Sequence, residues 1–294
     1  MTQQIPLDAS NEAGHEVAAG LIEVLPDVGY ERLMLVNVAF VGEAGAGAGR
    51  WVLVDTGIPG MTGRIAAAAT ARFGVDAPPA AIVLTHAHFD HVGCLQPLLE
   101  RWDVPVYAHR LELPYLDGSA AYPPPDTHVG GGLLALTAGM FPRSPVDVRS
   151  WLRALPDDGS VPPMPGWRWL HTPGHSVGHV SLWREADRTL LAGDAFITTA
   201  QESAYAVAVQ APEMHGPPMY FTQDWVAARG SVETLAALEP EIAVTGHGRA
   251  MRGAGMRTAL HRLAREFDTV ARPADPQYLA HPARAEDGTA YRPA

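Results

Sequence analysis

Three imidazoles and a carboxylate are crowded into Leu84-Thr85-His86-Ala87-His88-Phe89-Asp90-His91, and no other stretch constrains the fold as tightly. Before it, Ala81-Ile82-Val83-Leu84 has the length and composition of a buried strand. After it, Val92-Gly93 leads to Leu95, Leu98 and Leu99 at helical spacing. The polar residues therefore sit where a strand ends and a helix begins. His86 and His88 are two apart, so on an extended backbone they point the same way. Asp90 and His91 fall at the turn, where both side chains can swing toward a common centre. Packed this closely, the four groups would repel if charged and be costly to desolvate if unpaired. A divalent metal ion, or two, removes the difficulty.

Around this stretch the chain reads as α/β. Strand-like apolar runs cover 17–25 and 33–41, and the Gly/Ala segment 42–49 connects to a returning strand at 51–54. Thr62 is a plausible cap for an Ala-rich helix over 62–73. A helix near 93–101 and a short strand at 104–107 follow. Residues 111–166 are broken by prolines and glycines; only 127–140 is helical in pattern and only 151–155 strand-like. Too poor in apolar residues for a core of its own, this part reads as an insertion lying over the rest. Strands resume at 167–170, 180–183 and 190–192, the last two joined by a turn at Ala186-Asp187. Helices at 223–238, capped around Thr222 and Asp224, and at 253–269 flank a strand at 242–244. The tail from Pro273 reads as extended. The expectation is one domain over 1–294, with its core at 16–270, the insertion at 111–166 and the tail at 271–294. Two strand-rich halves, each followed by helices, predict two packed sheets with helices outside.

Composition narrows the function. A net charge of -11 argues against a nucleic-acid surface, which needs a basic stripe. All 21 basic residues are Arg, so no lysine is available for Schiff-base chemistry. The single cysteine, Cys94, excludes an internal disulfide, a Cys-rich zinc site and a dithiol redox motif, and its place at a helix start suits a small buried residue. Residues 1–11 have neither a basic start nor an apolar core segment of a signal peptide, and no apolar run approaches a membrane span. A cytoplasmic protein acting on a small molecule, without nucleic-acid or membrane partners, is the expectation.

Three later strand ends carry further candidate ligands. His175 lies in Thr172-Pro173-Gly174-His175, Asp194 in Leu191-Ala192-Gly193-Asp194, and His247 in Val244-Thr245-Gly246-His247-Gly248. Each alone could be an isolated polar loop residue; their shared context, matching that of the central motif, gathers them to one rim of a sheet assembly. Asp55, at another strand end, could orient a ligating histidine or simply form a turn. His179 reads as a satisfied strand histidine, and His109 and His171 as structural. Tyr205, Met214, His215, Tyr220 and Phe221 lie between Asp194 and His247, on a loop well placed to line a substrate pocket.

In this order, His-Ala-His-Phe-Asp-His, Thr-Pro-Gly-His, Gly-Asp and Gly-His-Gly resemble the metallo-β-lactamase superfamily, in particular its glyoxalase II-like and lactonase-like hydrolases, over about residues 17–270. The resemblance implies an αββα sandwich, two mixed β-sheets packed face to face with helices outside and the site at one edge. It implies that His86, His88 and His175 hold one metal, that Asp90, His91 and His247 hold a second, and that Asp194 bridges them. It also favours Asp55 as a partner behind a ligand.

Imidazole and carboxylate without thiolate suit zinc first, and iron or manganese as well; two divalent ions are the expected cofactor. Metal lowers the pKa of bound water to about 7, and two ions ~3.5–4 Å apart can hold the hydroxide and polarise a carbonyl. Asp90 or Asp194 would take the proton as the tetrahedral intermediate collapses, with no serine nucleophile required. The leading expectation is thus a binuclear hydrolase of a small ester, thioester or lactone. Ile197 stands where quorum-quenching lactonases carry a tyrosine, three residues after the bridging aspartate. The lack of lysine weakens a glyoxalase II proper, although Arg143, Arg149 or Arg249 could grip a carboxylate. A mononuclear iron persulfide dioxygenase needs only two His and one Asp. A non-catalytic metal clip or sensor is the alternative from another class, but structural zinc sites are usually closed and often Cys-rich.

Overall fold

The computed structural model describes residues 5–127, 129, 143, 146–199 and 212–293. The first half of the chain runs β1 (Ile5–Pro6), β2 (His15–Glu16), β3 (Leu21–Leu25), β4 (Val28–Leu33), β5 (Val36–Val41), β6 (Val52–Val54), α1 (Thr62–Phe73), β7 (Ala81–Val83), α2 (Phe89–Val92), α3 (Leu95–Trp102), β8 (Val106–Ala108), α4 (Leu113–Leu116) and β9 (Leu152–Ala154). The second runs β10 (Trp167–His171), β11 (Val180–Arg184), β12 (Thr189–Gly193), β13 (Glu213–Met214), α5 (Trp225–Ala237), β14 (Ile242–Thr245), β15 (Met251–Arg252), α6 (Gly253–Arg265), α7 (Phe267–Val270) and α8 (Gln277–Ala280).

Strands β2 to β9 form one eight-stranded sheet in sequence order, antiparallel as far as β6 and parallel from β6 to β9. The second sheet has the order β10-β11-β12-β14-β15, with β12 and β14 parallel because α5 crosses between them. Strands β5, β6, β7, β12 and β14 are buried residue by residue because both faces of each sheet are covered there, whereas β2, β9 and β10 carry exposed polar residues. On β6, Val52 and Val54 face the space between the sheets, while Leu53 faces α1 and α3. On β12, Leu191 points between the sheets and Leu190 and Ala192 point to α5 and α6. One core lies between the sheets and one under each helical layer. That is the αββα sandwich expected from the sequence.

Several boundaries differ from the sequence reading. The apolar run at 17–25 is broken by a turn through Ala19 (φ 55°) and Gly20 (φ 78°) that separates β2 from β3. The run at 33–41 begins with the end of β4; Met34 (φ 62°) turns the chain into β5, a left-handed turn made without glycine or asparagine. Met61, not Thr62, occupies the cap position of α1, with no side-chain cap. Asp224 caps α5, accepting from the backbone N–H groups of Val226 and Ala227. The expected helix at 127–140 falls almost wholly outside the described residues. The tail is not merely extended: it contains α8, it buries Tyr278, Ala283 and Ala290, and Arg292 pairs with Ala121 of the insertion. No helix among the described residues is long and apolar enough to cross a membrane.

The helical layer over the larger sheet is pinned by aromatics. Trp51 stacks on Phe73 with ring centres 4.3 Å apart, and Trp102 meets Trp51 edge-on at 5.6 Å. Phe73→Ala removes a fully buried ring, and the expected loss is ~3–5 kcal/mol of unfolding free energy in urea titrations. Val75→Ala, two residues on and 79% exposed, is expected to change it by less than about 0.5 kcal/mol.

Candidate metal centre

Every candidate ligand leaves a strand end on the same rim. The loop after β7 carries His86, His88, Asp90 and His91; the β10–β11 loop carries His175; Asp194 follows β12 and His247 follows β14. The structure brings all seven together in three overlapping groups, each with its donor atoms within 4.8 Å of one another: His86, His88 and His175; His86, His91 and Asp194; Asp90, His91 and His247. His88 Nδ1 lies 2.9 Å from His175 Nε2. Asp194 Oδ2 lies 3.4 Å from His175 Nε2, 3.5 Å from His91 Nε2 and 3.1 Å from His247 Nε2, so one carboxylate oxygen touches both ends of the cluster. Asp90 Oδ2 is 3.5 Å from His247 Nε2 and, with 14% of its side chain accessible, marks the mouth.

The hydrogen bonds behind the rings determine which nitrogen faces inward. The Thr85 hydroxyl donates to Asp55 Oδ2 at 2.8 Å, so its oxygen can only accept from His86 Nδ1 at 3.1 Å. Asp55 also accepts from His91 Nδ1 at 2.8 Å and from the Thr85 backbone N–H. His247 Nδ1 donates to the Leu35 carbonyl at 2.6 Å. The Thr222 hydroxyl donates to the Pro218 carbonyl and leaves its oxygen for His175 Nδ1 at 3.5 Å. In His86 and His175 the proton is drawn to Nδ1 and a bare Nε2 lone pair points into the cluster; in His91 and His247 Nδ1 likewise donates outward, which leaves Nε2 as the nitrogen that faces the Asp194 carboxylate. His179 stands behind Asp194: its Nε2 accepts from the Asp194 backbone N–H at 2.9 Å, and its Nδ1 bonds Thr172. It is satisfied, as expected, and it also supports Asp194.

Electrostatics divides the cluster in two. Burial, reinforced by the neighbouring imidazoles, lowers His86 and His175 well below the ordinary histidine range and His88 to about 3, so these rings are neutral. Burial also opposes charge on His91 and His247, but the surrounding carboxylates outweigh it and raise both. Asp194, against its own burial, is drawn well below the carboxylate range by His247 and His91, whereas burial raises Asp90. Three carboxylates and five imidazoles are thus gathered with no Arg paired to any of them among the described residues. His86 Nε2, His88 Nε2, His91 Nε2 and Asp194 Oδ1 are buried without a hydrogen-bond partner among the described residues. Bare imidazole nitrogens, uncompensated carboxylates and orphaned lone pairs are the environment of a divalent cation. The residues present fit one.

Gly246 makes the cluster possible: a Cβ there would lie 1.9 Å from Asp194 Oδ1 and 3.0 Å from the His91 ring. Of the candidate pocket residues, Phe221 lies against the His88 ring at 5.2 Å and against Phe89 at 6.1 Å. Tyr220 and Met214 are packed in the core under the smaller sheet's helices, and buried His215 bridges Ile197. Tyr205 lies outside the described residues. His109 and His171 stack on each other at 4.6 Å. Buried Cys94 bonds the Ile58 carbonyl. Sequence reasoning missed Thr85, Thr222, Glu112 and Tyr122. Thr85 could have been found from its place inside the motif; the others carry no sequence signal. It also missed that Gly174-His175-Ser176-Val177-Gly178 has the Gly-x-Ser-x-Gly pattern of a serine-hydrolase elbow. That elbow is a strand-to-helix turn. Here the segment joins two antiparallel strands, and the Ser176 hydroxyl donates to Glu112 rather than to a histidine.

The fold has counterparts among known proteins. Residues 32–247 match the family model of the metallo-beta-lactamase superfamily, and the chain belongs to that superfamily. Among curated proteins it is 47% identical to the "Probable metallo-hydrolase YflN" of Bacillus subtilis (strain 168), over 75% of this chain and 83% of that one. It is 31% identical to the "Probable metallo-hydrolase YybB" of the same organism, over 67% and 74%. Among solved structures it is similar to TTHA1623 in a di-iron-bound form, with 28% identity, a TM-score of 0.50 and coverage of 80% of this chain and 96% of that one. A beta-lactamase domain protein from Burkholderia ambifaria shares the fold, with a TM-score of 0.62 at 21% identity over 90% and 80%.

Two outcomes are expected from this geometry. Gly246→Ala displaces the Asp194 carboxylate and weakens metal binding ~10–100-fold, read as metal per chain after dialysis, with the far-UV circular dichroism kept. A metal must also displace the protons that the carboxylates hold on His91 and His247. Since both groups are raised, lowering the pH strengthens the proton's claim. Metal retention therefore rises with pH and falls on acidification toward about pH 5, as equilibrium dialysis would show.

Proposed function

We propose that this chain is a metal-dependent hydrolase that opens a small ester, thioester or lactone with two divalent ions bound. The observation that carries the reading is the sharing of Asp194 Oδ2 by both ends of the cluster, with His175 on one side and His91 and His247 on the other. His86, His88 and His175 would hold one ion; Asp90, His91 and His247 would hold the other, with Asp194 common to both. The absence of cysteine ligands suits zinc, manganese or iron, and the di-iron-bound form of TTHA1623 supports iron as an occupant. When bound, such ions make water nucleophilic near neutral pH and polarise a carbonyl oxygen.

The chain's own residues supply the rest. Thr85, Asp55, Thr222 and the Leu35 carbonyl each engage the outward Nδ1 of a ring, so His86, His91, His175 and His247 present Nε2 to the cluster and need not reorient when metal binds. Asp90 sits at the mouth, beside His247 and more accessible than Asp194. It is placed to take the proton of the attacking water and return it to the leaving alcohol or thiol. Phe221 meets Phe89 beside the His88 ring, and the two would hold the apolar part of the substrate.

The test is metal content per chain of protein purified without chelator, beside a screen of esters, thioesters and lactones. About two ions are expected, falling to one or none in His88→Ala and in His247→Ala. Each variant should lose about a thousandfold or more in kcat/KM, since the ions are asked for several kcal/mol of transition-state stabilisation. A single iron, lost in His88→Ala and kept in His247→Ala, would overturn the binuclear mechanism in favour of sulfur oxidation.

A further inference from the structure

Glu112 is completely buried, lies outside the ligand motifs and belongs to the segment that reads from sequence as an insertion. Burial raises its pKa above the ordinary carboxyl range. No arginine or histidine pairs with it among the described residues. Instead its two oxygens are divided between the two loops that bring three of the histidines together. Oε2 accepts from the Ala87 backbone N–H at 2.9 Å, between His86 and His88, and from the Tyr122 hydroxyl. Oε1 accepts from the Ser176 hydroxyl and the Gly178 backbone N–H, both at 2.8 Å, just past His175. Tyr122 adds to the grip: its oxygen accepts a second bond from Ala87 N–H at 3.0 Å, and its ring lies 4.2 Å from that of His88. Gly178 permits the approach, since a Cβ there would stand 2.8 Å from Glu112 Cγ and Oε1.

We propose that Glu112 is a positioning residue that sets the distance between the His86–His88 loop and the His175 loop, and so the metal affinity of the three-histidine end of the centre. This rests on the reading that His86, His88 and His175 hold a metal ion. Each oxygen serves one loop, so the carboxylate acts as a rigid spacer across the gap where His88 Nδ1 and His175 Nε2 stand 2.9 Å apart. Among the described residues Glu112 makes no hydrogen bond to Asp90, His91 or His247, so its grip acts first on the three-histidine end. Glu112→Gln keeps the size of the side chain but turns one acceptor into a donor facing donors. A hydroxyl can rotate away from that conflict; a backbone N–H cannot.

The experiment is titration of apoprotein with cobalt(II), read by its visible absorption and by competition with a chromophoric chelator. Wild type, Glu112→Gln, Ser176→Ala and His88→Ala are compared, with near-UV circular dichroism of each apoprotein. Glu112→Gln is expected to bind one of two ions ~10–100-fold more weakly, with the other unchanged. The absorption bands of the weakened ion should also shift. Ser176→Ala removes a single donor and leaves the carboxylate in place; it is expected to weaken the same ion by about threefold to tenfold, and it decides the matter if Glu112→Gln does not fold. Equal weakening of both ions, or wild-type affinities in a folded variant, would overturn the role of Glu112. If His88→Ala itself takes up cobalt like wild type, the metal assignment fails instead.

Discussion

Asp55, Asp90 and Asp194 are brought to one rim with imidazoles around them and, among the described residues, no guanidinium paired to any, and much of the site's architecture answers that arrangement. Buried carboxylates need compensation. Protons held on His91 and His247 give it only partly, because burial works against charge on those rings. A divalent cation compensates the carboxylates and leaves the imidazoles neutral, bound through the Nε2 atoms that the supporting hydrogen bonds already turn inward in His86, His91, His175 and His247. The cluster is therefore prepared for a cation before one arrives.

That preparation depends on contacts between distant parts of the chain. Leu35, in the hairpin between β4 and β5, receives the His247 proton, and nearby Asn37 donates to the Thr245 and Gly248 carbonyls. These bonds run from the larger sheet to the loop that leaves the smaller one, so the sheets are joined at the site itself as well as through the core between them. Asp55 pays for its three hydrogen bonds with a left-handed backbone (φ 61°), a conformation uncommon for a residue with a side chain. Strain of that kind persists where surrounding contacts over-determine it.

The parts of this arrangement that follow the sequence are those with a local signature. The strand before His86 and the helix after it could be read because an apolar run, a polar cluster and a helical Leu spacing follow one another. Both sheets could be read from continuous Val, Leu and Ile runs. The break at Met34 could not, since a left-handed turn usually shows itself through glycine or asparagine and here has neither. Tyr220 and Met214 lie between the ligands Asp194 and His247 in sequence, yet the chain turns their side chains into the core, and a place between two ligands says nothing about that. Glu112 was invisible for a different reason. Two of its four partners are backbone N–H groups, which every residue but proline possesses, and the other two are hydroxyls 10 and 64 positions away, so no local pattern announces the contact.

The tail's attachment bears on when the centre can be completed. The Tyr115 hydroxyl is satisfied by the Ala290 carbonyl, 175 positions later, and Ala121 exchanges backbone bonds with Arg292. The segment bearing Glu112 and Tyr122 is therefore fastened by residues that emerge from the ribosome long after the histidine loop. Closing so long a loop carries an entropic cost that local contacts do not. Both sheets can assemble while synthesis continues; the segment that spans the two histidine loops gains its final anchor only after residue 292 has been released.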